Sequence, residues 1–150
     1  MAELHIERVF DAPRELVWKA FTDPDQISQW FGPVGYSVPR DTVDMDVRPG
    51  GHQRFMMVAD NPEYPPGGPV DAIFTEVVEP RLLAGYEIIT GEMIELFGAE
   101  RIDMRIELHD EGDGKTKLVL DQGPYKEEIS SDANEGWMSS FTKLDALLAG

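Results

Sequence analysis

Three histidines, His5, His52 and His109, are the first residues of this chain that could hold a metal or move a proton. They are far apart and form neither an H-x-x-x-H nor an H-x-E pattern, the spacings that bring metal ligands together. The chain has no cysteine, which excludes disulfides, thiolate metal sites and cysteine nucleophiles. Its serines lack the G-x-S-x-G pattern of a nucleophile elbow. The sequence therefore predicts no metal site, no cofactor and no catalytic triad.

Polar residues on the predicted strands are the more informative candidates, namely Arg54, Glu76, Tyr86 and Glu87. We expect them to point inward, where a charged side chain is costly unless it is paired. Arg54 with a carboxylate would be either a structural ion pair, which we prefer, or a group that orients a ligand. Glu76 or Glu87 would be the acid or base if the same space served an enzyme.

The elements that must position these residues begin with one strand and two short helices. Alternating apolar residues predict a strand that ends near Phe10. Asp11-Ala12-Pro13 has the residue types of a helix start, and Thr22-Asp23-Pro24 separates this helix from a second one. Gly32-Pro33 ends the second helix. This order differs from alternating βαβ units and argues against a doubly wound parallel sheet.

A period of two residues then predicts a series of antiparallel strands. Val43, Met45 and Val47 alternate with polar residues up to the turn Pro49-Gly50-Gly51, and the chain returns through Phe55. Further strands are predicted at 72–78, 82–89, 102–108 and around 118–120, with no assignment for 90–99. Gly123-Pro124 is expected to end the sheet.

The last predicted element is a long amphipathic helix. Trp137, Phe141, Leu144 and Leu148 fall at i, i+4, i+7 and i+11. The pair Asp132-x-x-Glu135 supplies an acidic helix start. Because the chain has no internal repeat and no linker composition, we predict one α+β domain over residues 1–150.

The charge balance limits the possible partners. Lys and Arg total 13 against 29 Asp and Glu, a formal charge of −16 that repels phosphate backbones and anionic lipid headgroups. No apolar run approaches the ~20 residues that a membrane span needs, and the N-terminus has no secretory pattern. We therefore expect a cytoplasmic protein that binds neither nucleic acid nor membrane.

Four local patterns stand out along the chain: Phe10-x-Ala12-Pro13-x-Glu15-x-Val17-Trp18-x-Ala20-Phe21-Thr22-Asp23-Pro24, Trp30-Phe31-Gly32-Pro33, Asp46-x-Arg48-Pro49-Gly50-Gly51 and Gly136-Trp137. Together with the element order, they resemble the START-like (SRPBCC, helix-grip) superfamily, specifically the branch named after the activator of heat-shock-protein-90 ATPase. The resemblance spans almost the entire chain. It departs at Phe31, where members of the branch often have a second tryptophan.

The resemblance implies a helix-grip fold, in which a curved seven-stranded antiparallel sheet surrounds a long C-terminal helix and two short helices follow the first strand. In relatives, the cavity between helix and sheet takes lipids, polyketides, hormones or other small apolar molecules. We therefore predict that this protein binds or carries a small hydrophobic ligand in that cavity. The candidate ligand-binding residues are Met45, Val47, Phe55, Met57, Phe74, Glu76, Tyr86, Ile88, Met104, Ile106, Trp137 and Phe141.

Two alternatives stay open beside the noncatalytic binder. The first is a cyclase- or aromatase-like enzyme that uses the same cavity, although no catalytic constellation is recognisable. The second is an interaction module, either a chaperone regulator or a homodimer, that uses the acidic surface and the proline-rich loop. The eukaryotic activator also carries an N-terminal domain that engages the chaperone, and nothing in this chain corresponds to it. The apolar candidate residues could equally pack against one another as an ordinary hydrophobic core without a cavity.

Overall fold

The protein is built on an antiparallel sheet of eight strands, described for residues 1–150 by a computed structural model. The strands are β1 (Ala2–Phe10), β2 (Tyr36–Ser37), β3 (Asp44–Asp46), β4 (His52–Ala59), β5 (Gly68–Val78), β6 (Leu82–Ile88), β7 (Arg101–Gly112) and β8 (Lys115–Tyr125). Seven of them follow the order β1-β8-β7-β6-β5-β4-β2, and the three-residue β3 pairs with β4 beside that path. The predicted α+β fold with a seven-stranded antiparallel sheet is confirmed.

The helices are α1 (Arg14–Thr22), α2 (Pro24–Trp30), α3 (Met93–Phe97) and α4 (Glu127–Leu148), with a 3-10 turn at Arg40–Thr42. Asp23 ends α1 and caps α2, because its side chain accepts a hydrogen bond from the backbone N–H of Asp25. The indole N–H of Trp30 donates to the carbonyl of Ala20 at 2.8 Å, which fixes the two helices against each other. None of the four helices is both long enough and apolar enough to cross a membrane.

The long helix α4 confirms the predicted C-terminal element but begins at Glu127, five residues before Asp132. The predicted start was wrong because the buried face of the helix extends back through Ile129 and Ala133, which pack on a second cluster. Gly123-Pro124 does not end the sheet either. Strand β8 continues to Tyr125, which pairs with Ala2 of β1.

Two hydrophobic clusters lie between α4 and the sheet. The main cluster contains 20 buried residues and receives Phe141 and Leu144 from α4. The second cluster consists of Ile89, Ile102 and Tyr125, with partly buried side chains of α3 and of the first turns of α4 around it. Helix α4 therefore joins the two clusters along its length.

The connection at 90–99, which the sequence left unassigned, contains α3. This short helix ends at Gly98 with φ of 84°, a conformation that favours glycine. A Cβ added at Gly98 would lie 2.6 Å from the Cγ atom of Lys126, so the close approach also requires glycine. The ring of Phe97 packs edge-on against Tyr125 at a centroid distance of 5.8 Å, which places α3 on the second cluster.

Candidate functional site

Two spaces lie near α4 and the sheet, and the first is an inner cavity of about 20 Å³. Of its 13 lining residues 11 are hydrophobic, including Phe31 after α2, Met104 of β7 and Trp137 of α4. A space of this size holds roughly one water molecule. The ligand-sized cavity expected between helix and sheet is therefore not open in this conformation, because aromatic side chains fill it.

Phe31 is the centre of that aromatic packing. Its ring lies 4.9 Å from Phe55 and 5.7 Å from Trp137, both nearly edge-on, and 5.6 Å from Trp30. Such pairs contribute attraction beyond simple burial of their area. A ligand could enter the inner cavity only by displacing one of these rings or the side chain of Met104.

Two glutamines add polar atoms to this otherwise apolar interior. Trp137 donates its indole N–H to Oε1 of Gln122 at 2.7 Å, which ties α4 to β8. Gln122 is 7% exposed, so loss of this partner would leave a nearly buried polar atom unsatisfied. Gln53 of β4 is equally buried and lines the cavity.

The predicted ligand-binding residues divide into three groups by their position in the structure. The first group lines the inner cavity and consists of Phe74, Met104, Ile106 and Trp137. A second group belongs to the surrounding core: Phe55 and Phe141 are buried, and Met45 and Val47 pack partly buried against the main cluster. Met57 is partly buried and lies beside Gly32, away from the cavity lining.

The third group, Glu76, Tyr86 and Ile88, occupies strand positions that alternate toward the outer face of the sheet. A β-bulge at Thr75 lets Phe74 pair with Gly85 and Glu76 with Ala84, so Phe74 points inward and Glu76 points outward. The side chain of Glu76 is 56% exposed and faces Arg105 at 4.0 Å. The inward placement of Glu76 was wrong because one extra residue reverses the alternation of the strand.

The register of β6 explains why Tyr86 and Ile88 lie toward the outer face. Leu83 and Gly85 pair with the inward-facing Ile106 and Met104, whereas Tyr86 pairs with the exposed Asp103. Tyr86 borders the cavity, yet its ring lies under the guanidinium of Arg101 at 3.9 Å, and Ile88 is 40% exposed. Residues 82–84 are all buried, so the sequence of β6 does not show which of its residues alternate inward and which outward.

Arg54 also lies on the outer face and donates to Asp71 of β5 at 3.1 Å. Both side chains are about half exposed, at 50% and 43%. The expected inward position was wrong, and the preferred structural ion pair is what the structure contains. The three histidines likewise contact surface carboxylates: His5 lies between Glu7 and Asp121. No three His, Asp or Glu side chains are grouped as metal ligands.

The second space, here called the mouth pocket, has a volume of about 320 Å³. It lies between the first residues of β5, the end of β6 and α3. Its lining residues are Gly68, Pro69, Asp71, Glu87, Ile88, Ile89, Thr90, Met93 and Phe97. Of these, Glu87 and Ile88 were candidates from the sequence. Most of the others come from segments with no periodicity, where the sequence signal was the apolar run Met93-Ile94-x-Leu96-Phe97 between two glycines.

Glu87 is the unusual residue of the mouth pocket. Burial, with a smaller contribution from the charge of Asp71, raises the pKa of its carboxyl from the ordinary 4.5 to about 7. Burial and the charge of Glu87 in turn raise the pKa of Tyr125. No hydrogen bond and no positive charge stabilises the Glu87 carboxylate. The pocket thus combines four apolar side chains among its nine lining residues with one unpaired acidic group.

Glu87 also marks where the two spaces meet. Across the ladder it pairs with Ala72 of β5, which lines the inner cavity, and with Ile102 of β7, which belongs to the second cluster. Gly85 of the inner cavity is two residues away on the same face of β6. The mouth pocket therefore borders the inner cavity along the inside of the sheet.

A long C-terminal helix held by a curved antiparallel sheet defines the helix-grip class of proteins. Within this class, the family model described as activator of Hsp90 ATPase homolog 1-like protein matches residues 11–149. The chain belongs to this AHSA1 family, as its sequence patterns predicted. Proteins of this fold commonly bind hydrophobic ligands.

Solved structures have the same fold. Protein CV1439 from Chromobacterium violaceum is 22% identical, with a TM-score of 0.83 over 100% of this chain and 99% of that one. The AHSA1 protein SPO3351 from Silicibacter pomeroyi is 28% identical, with a TM-score of 0.79 over 99% and 98% of the two chains. No curated protein matches the sequence.

Proposed function

We propose that this protein binds or carries a small, mainly apolar molecule whose body occupies the mouth pocket. The observation that supports the proposal most strongly is the pocket itself, whose volume of about 320 Å³ lies at the lower end of the roughly 300–1,000 Å³ of small-molecule sites. Ile89, Met93 and Phe97 give it apolar walls. The family's fold adds support, because ligands in this fold are commonly hydrophobic.

The inner cavity has a secondary role in this proposal. Its volume of about 20 Å³ is too small for a ligand, but it lies directly behind the pocket on the inside of β6. Met104 lines it, and a methionine side chain adapts its shape at low cost. A longer ligand would extend past Glu87 and displace Met104.

Gly68 offers a direct test of the site. It shares the inner face of β5 with Val70 and Ala72, it lines the pocket, and an added Cβ would meet nothing within 4 Å. Gly68→Leu should therefore fill the pocket without disturbing the strand. The matched control is Gly136→Leu in α4, where an added Cβ also meets open space outside the pocket.

The measurement is isothermal titration calorimetry with adamantanol, a compact apolar probe. We expect binding to the wild type and to Gly136→Leu, and at least about tenfold weaker binding to Gly68→Leu, since the side chain competes for the same volume. Absence of binding to the wild type, or equal binding to both variants, would contradict the proposal.

A second candidate is an acid–base enzyme, favoured by one observation: the pKa of Glu87 at about 7 suits proton transfer near neutral pH. Glu76 cannot share this role because it lies on the outer face. Base-catalysed ring opening of nitrobenzisoxazole would report such a base in an apolar pocket. If the wild type turns this probe over and Glu87→Gln lowers the rate by about 100-fold, the result would support an acid–base enzyme. A wild-type rate equal to that of buffer would exclude catalysis by Glu87 on this probe.

A further inference from the structure

We propose that the molecule bound in the mouth pocket carries a protonated amine, which pairs with the carboxylate of Glu87. This inference rests on the proposed function and adds the chemical class of the ligand. It predicts a compact apolar body against α3 and the end of β6, with an ammonium group on the side of β5 and β6.

Glu87 lacks the cationic partner that several surface carboxylates of this protein have. Glu7 contacts Lys117, Asp44 contacts His52, and Glu107 contacts Arg105, each within 2.9 Å. Hydrogen bonds to those partners lower the pKa of all three carboxyls. Glu87 is the carboxyl whose pKa moves in the opposite direction. A ligand cation would supply the missing partner.

The groups that surround Glu87 on the neighbouring elements also favour a cationic ligand. Strand β5 contributes the carboxylate of Asp71, which is paired with Arg54 of β4, and β8 contributes the phenol of Tyr125. Strand β7 presents the apolar Ile102, and α3 lines the pocket with Met93 and Phe97. No lysine or arginine lines the pocket. Even with Asp71 paired to Arg54, the ionised Glu87 leaves the lining negative, and the formal charge of −16 has the same sign. Both favour a cation over an anion.

The apolar residues of the pocket favour an organic amine over a bare cation. A bare cation would gain little from Ile89, Met93 and Phe97, which offer it no ligand atoms. An amine with a compact hydrocarbon body uses both features, because its body buries apolar area while its ammonium pairs with a partly buried carboxylate. Pairing in a partly buried site is stronger than in water, where solvent screens the charges.

This pairing couples binding to pH. With a pKa of about 7, Glu87 is about 10% ionised near pH 6 and about 90% ionised near pH 8. Because the ammonium needs the ionised carboxylate, the affinity for an amine should rise about tenfold between these two values. A neutral alcohol of the same shape should bind with little pH dependence.

The test uses three probes that share one hydrocarbon body: adamantylamine, adamantanol and adamantane carboxylate. Their affinities for the wild type and for Glu87→Gln are measured by calorimetry near pH 6 and pH 8. Glu87→Gln keeps the size of the side chain and removes its charge, and its unfolding curve verifies that it folds. For the wild type near pH 8 we expect the amine to bind about tenfold more tightly than the alcohol, and the carboxylate to bind most weakly.

In Glu87→Gln the amine should lose that advantage and its pH dependence, while the affinity for the alcohol stays within about twofold. If the alcohol binds the wild type as tightly as the amine, the amine inference fails and the proposed function stands. If none of the three probes binds, both fail. Should the variant not fold, the pH dependence of the wild type alone decides, since equal amine affinity near pH 6 and pH 8 overturns the inference.

Discussion

Helix α4 contacts two regions of the molecule that are filled to different degrees. At its C-terminal half, Phe141 and Leu144 pack with Phe10 in the main cluster, and none of the three has exposed surface. At its N-terminal half, Ile129 and Ala133 are only partly buried and border the smaller cluster beside the mouth pocket. The same helix thus closes a dense core at one end and a site with free volume at the other.

The C-terminal half of α4 therefore contributes mainly to the stability of the fold, and its N-terminal half lies beside the proposed binding site. Tight packing in the main cluster supplies most of the apolar burial that stabilises the fold. The smaller cluster gives up packing for a pocket and keeps an unpaired carboxylate, features that cost stability and are typical of functional sites. Variants at the two ends should therefore have different effects on unfolding and on binding.

The largest expected effect is that of Phe141→Ala in the main cluster. Truncation of a fully buried aromatic ring removes apolar contacts and leaves a cavity, so the free energy of unfolding should fall by about 4 kcal/mol. Phe97→Ala beside the mouth pocket is the control, because Phe97 is only partly buried. It should lower stability by about 1 kcal/mol and weaken binding of adamantanol. Urea unfolding followed by fluorescence measures the stability of both variants. Equal losses of stability would show that the two ends of α4 are packed equally tightly.

An intermediate effect is expected from Glu87→Gln as pH changes. The pKa of Glu87 is raised from 4.5 to about 7, so folding takes up a proton between these values and the stability of the wild type falls as pH rises through this window. Because each pKa unit corresponds to about 1.4 kcal/mol and Glu87 is partly exposed, the loss attributable to Glu87 should be about 2 kcal/mol. The variant should be more stable than the wild type by that amount near pH 8 and similar to it near pH 4. Parallel pH profiles for the two proteins would contradict this assignment.

A smaller effect is expected from Trp137→Phe between the two regions. The change removes the 2.7 Å hydrogen bond to Gln122 and leaves Oε1 of that buried glutamine without its donor. Stability should fall by about 1 kcal/mol. Gln122→Leu combined with Trp137→Phe removes both polar partners, and the double variant should recover part of the loss. A double-mutant cycle measures this coupling, which should be absent if the hydrogen bond is unimportant.

The smallest effect is expected on the outer face of the sheet. Lys117 contacts Glu7 at 2.7 Å, but both side chains are well exposed to solvent. Water and salt screen such a pair, so Lys117→Gln should leave the unfolding midpoint unchanged within error. A clear loss of stability at physiological salt would show that ion pairs on the outer face contribute to the stability of the fold.

Periodicity predicted the large elements correctly because their burial is regular. The helical spacing of Trp137, Phe141 and Leu144 identified α4, and strict alternation identified β7. Both elements bury one continuous face, so each inward residue predicts the next. The family assignment followed from motifs in α1, in α2 and in the turn after β3, together with Gly136-Trp137 of α4.

The candidate site was less predictable because its positions depend on irregularities. The bulge at Thr75 moved Glu76 to the outer face, and a single inserted residue has no reliable signature in one sequence. The mouth pocket is assembled from strand ends and the short α3, where no period exists. Glu87 was a candidate from its type and place, but its isolation from any cation is a property of the tertiary structure.

A ligand site in the mouth pocket is tested most directly by the location of a bound amine, read from the methionine methyl groups by NMR. Met93 lines the mouth pocket, Met104 lines the inner cavity behind it, and Met56 and Met138 are exposed elsewhere at 40% and 39%. On titration with adamantylamine, we predict a large, saturable shift of the Met93 methyl signal, a smaller shift for Met104, and none for Met56 or Met138. A shift confined to Met56 or Met138, or no saturable shift at Met93, would contradict a ligand site in the mouth pocket.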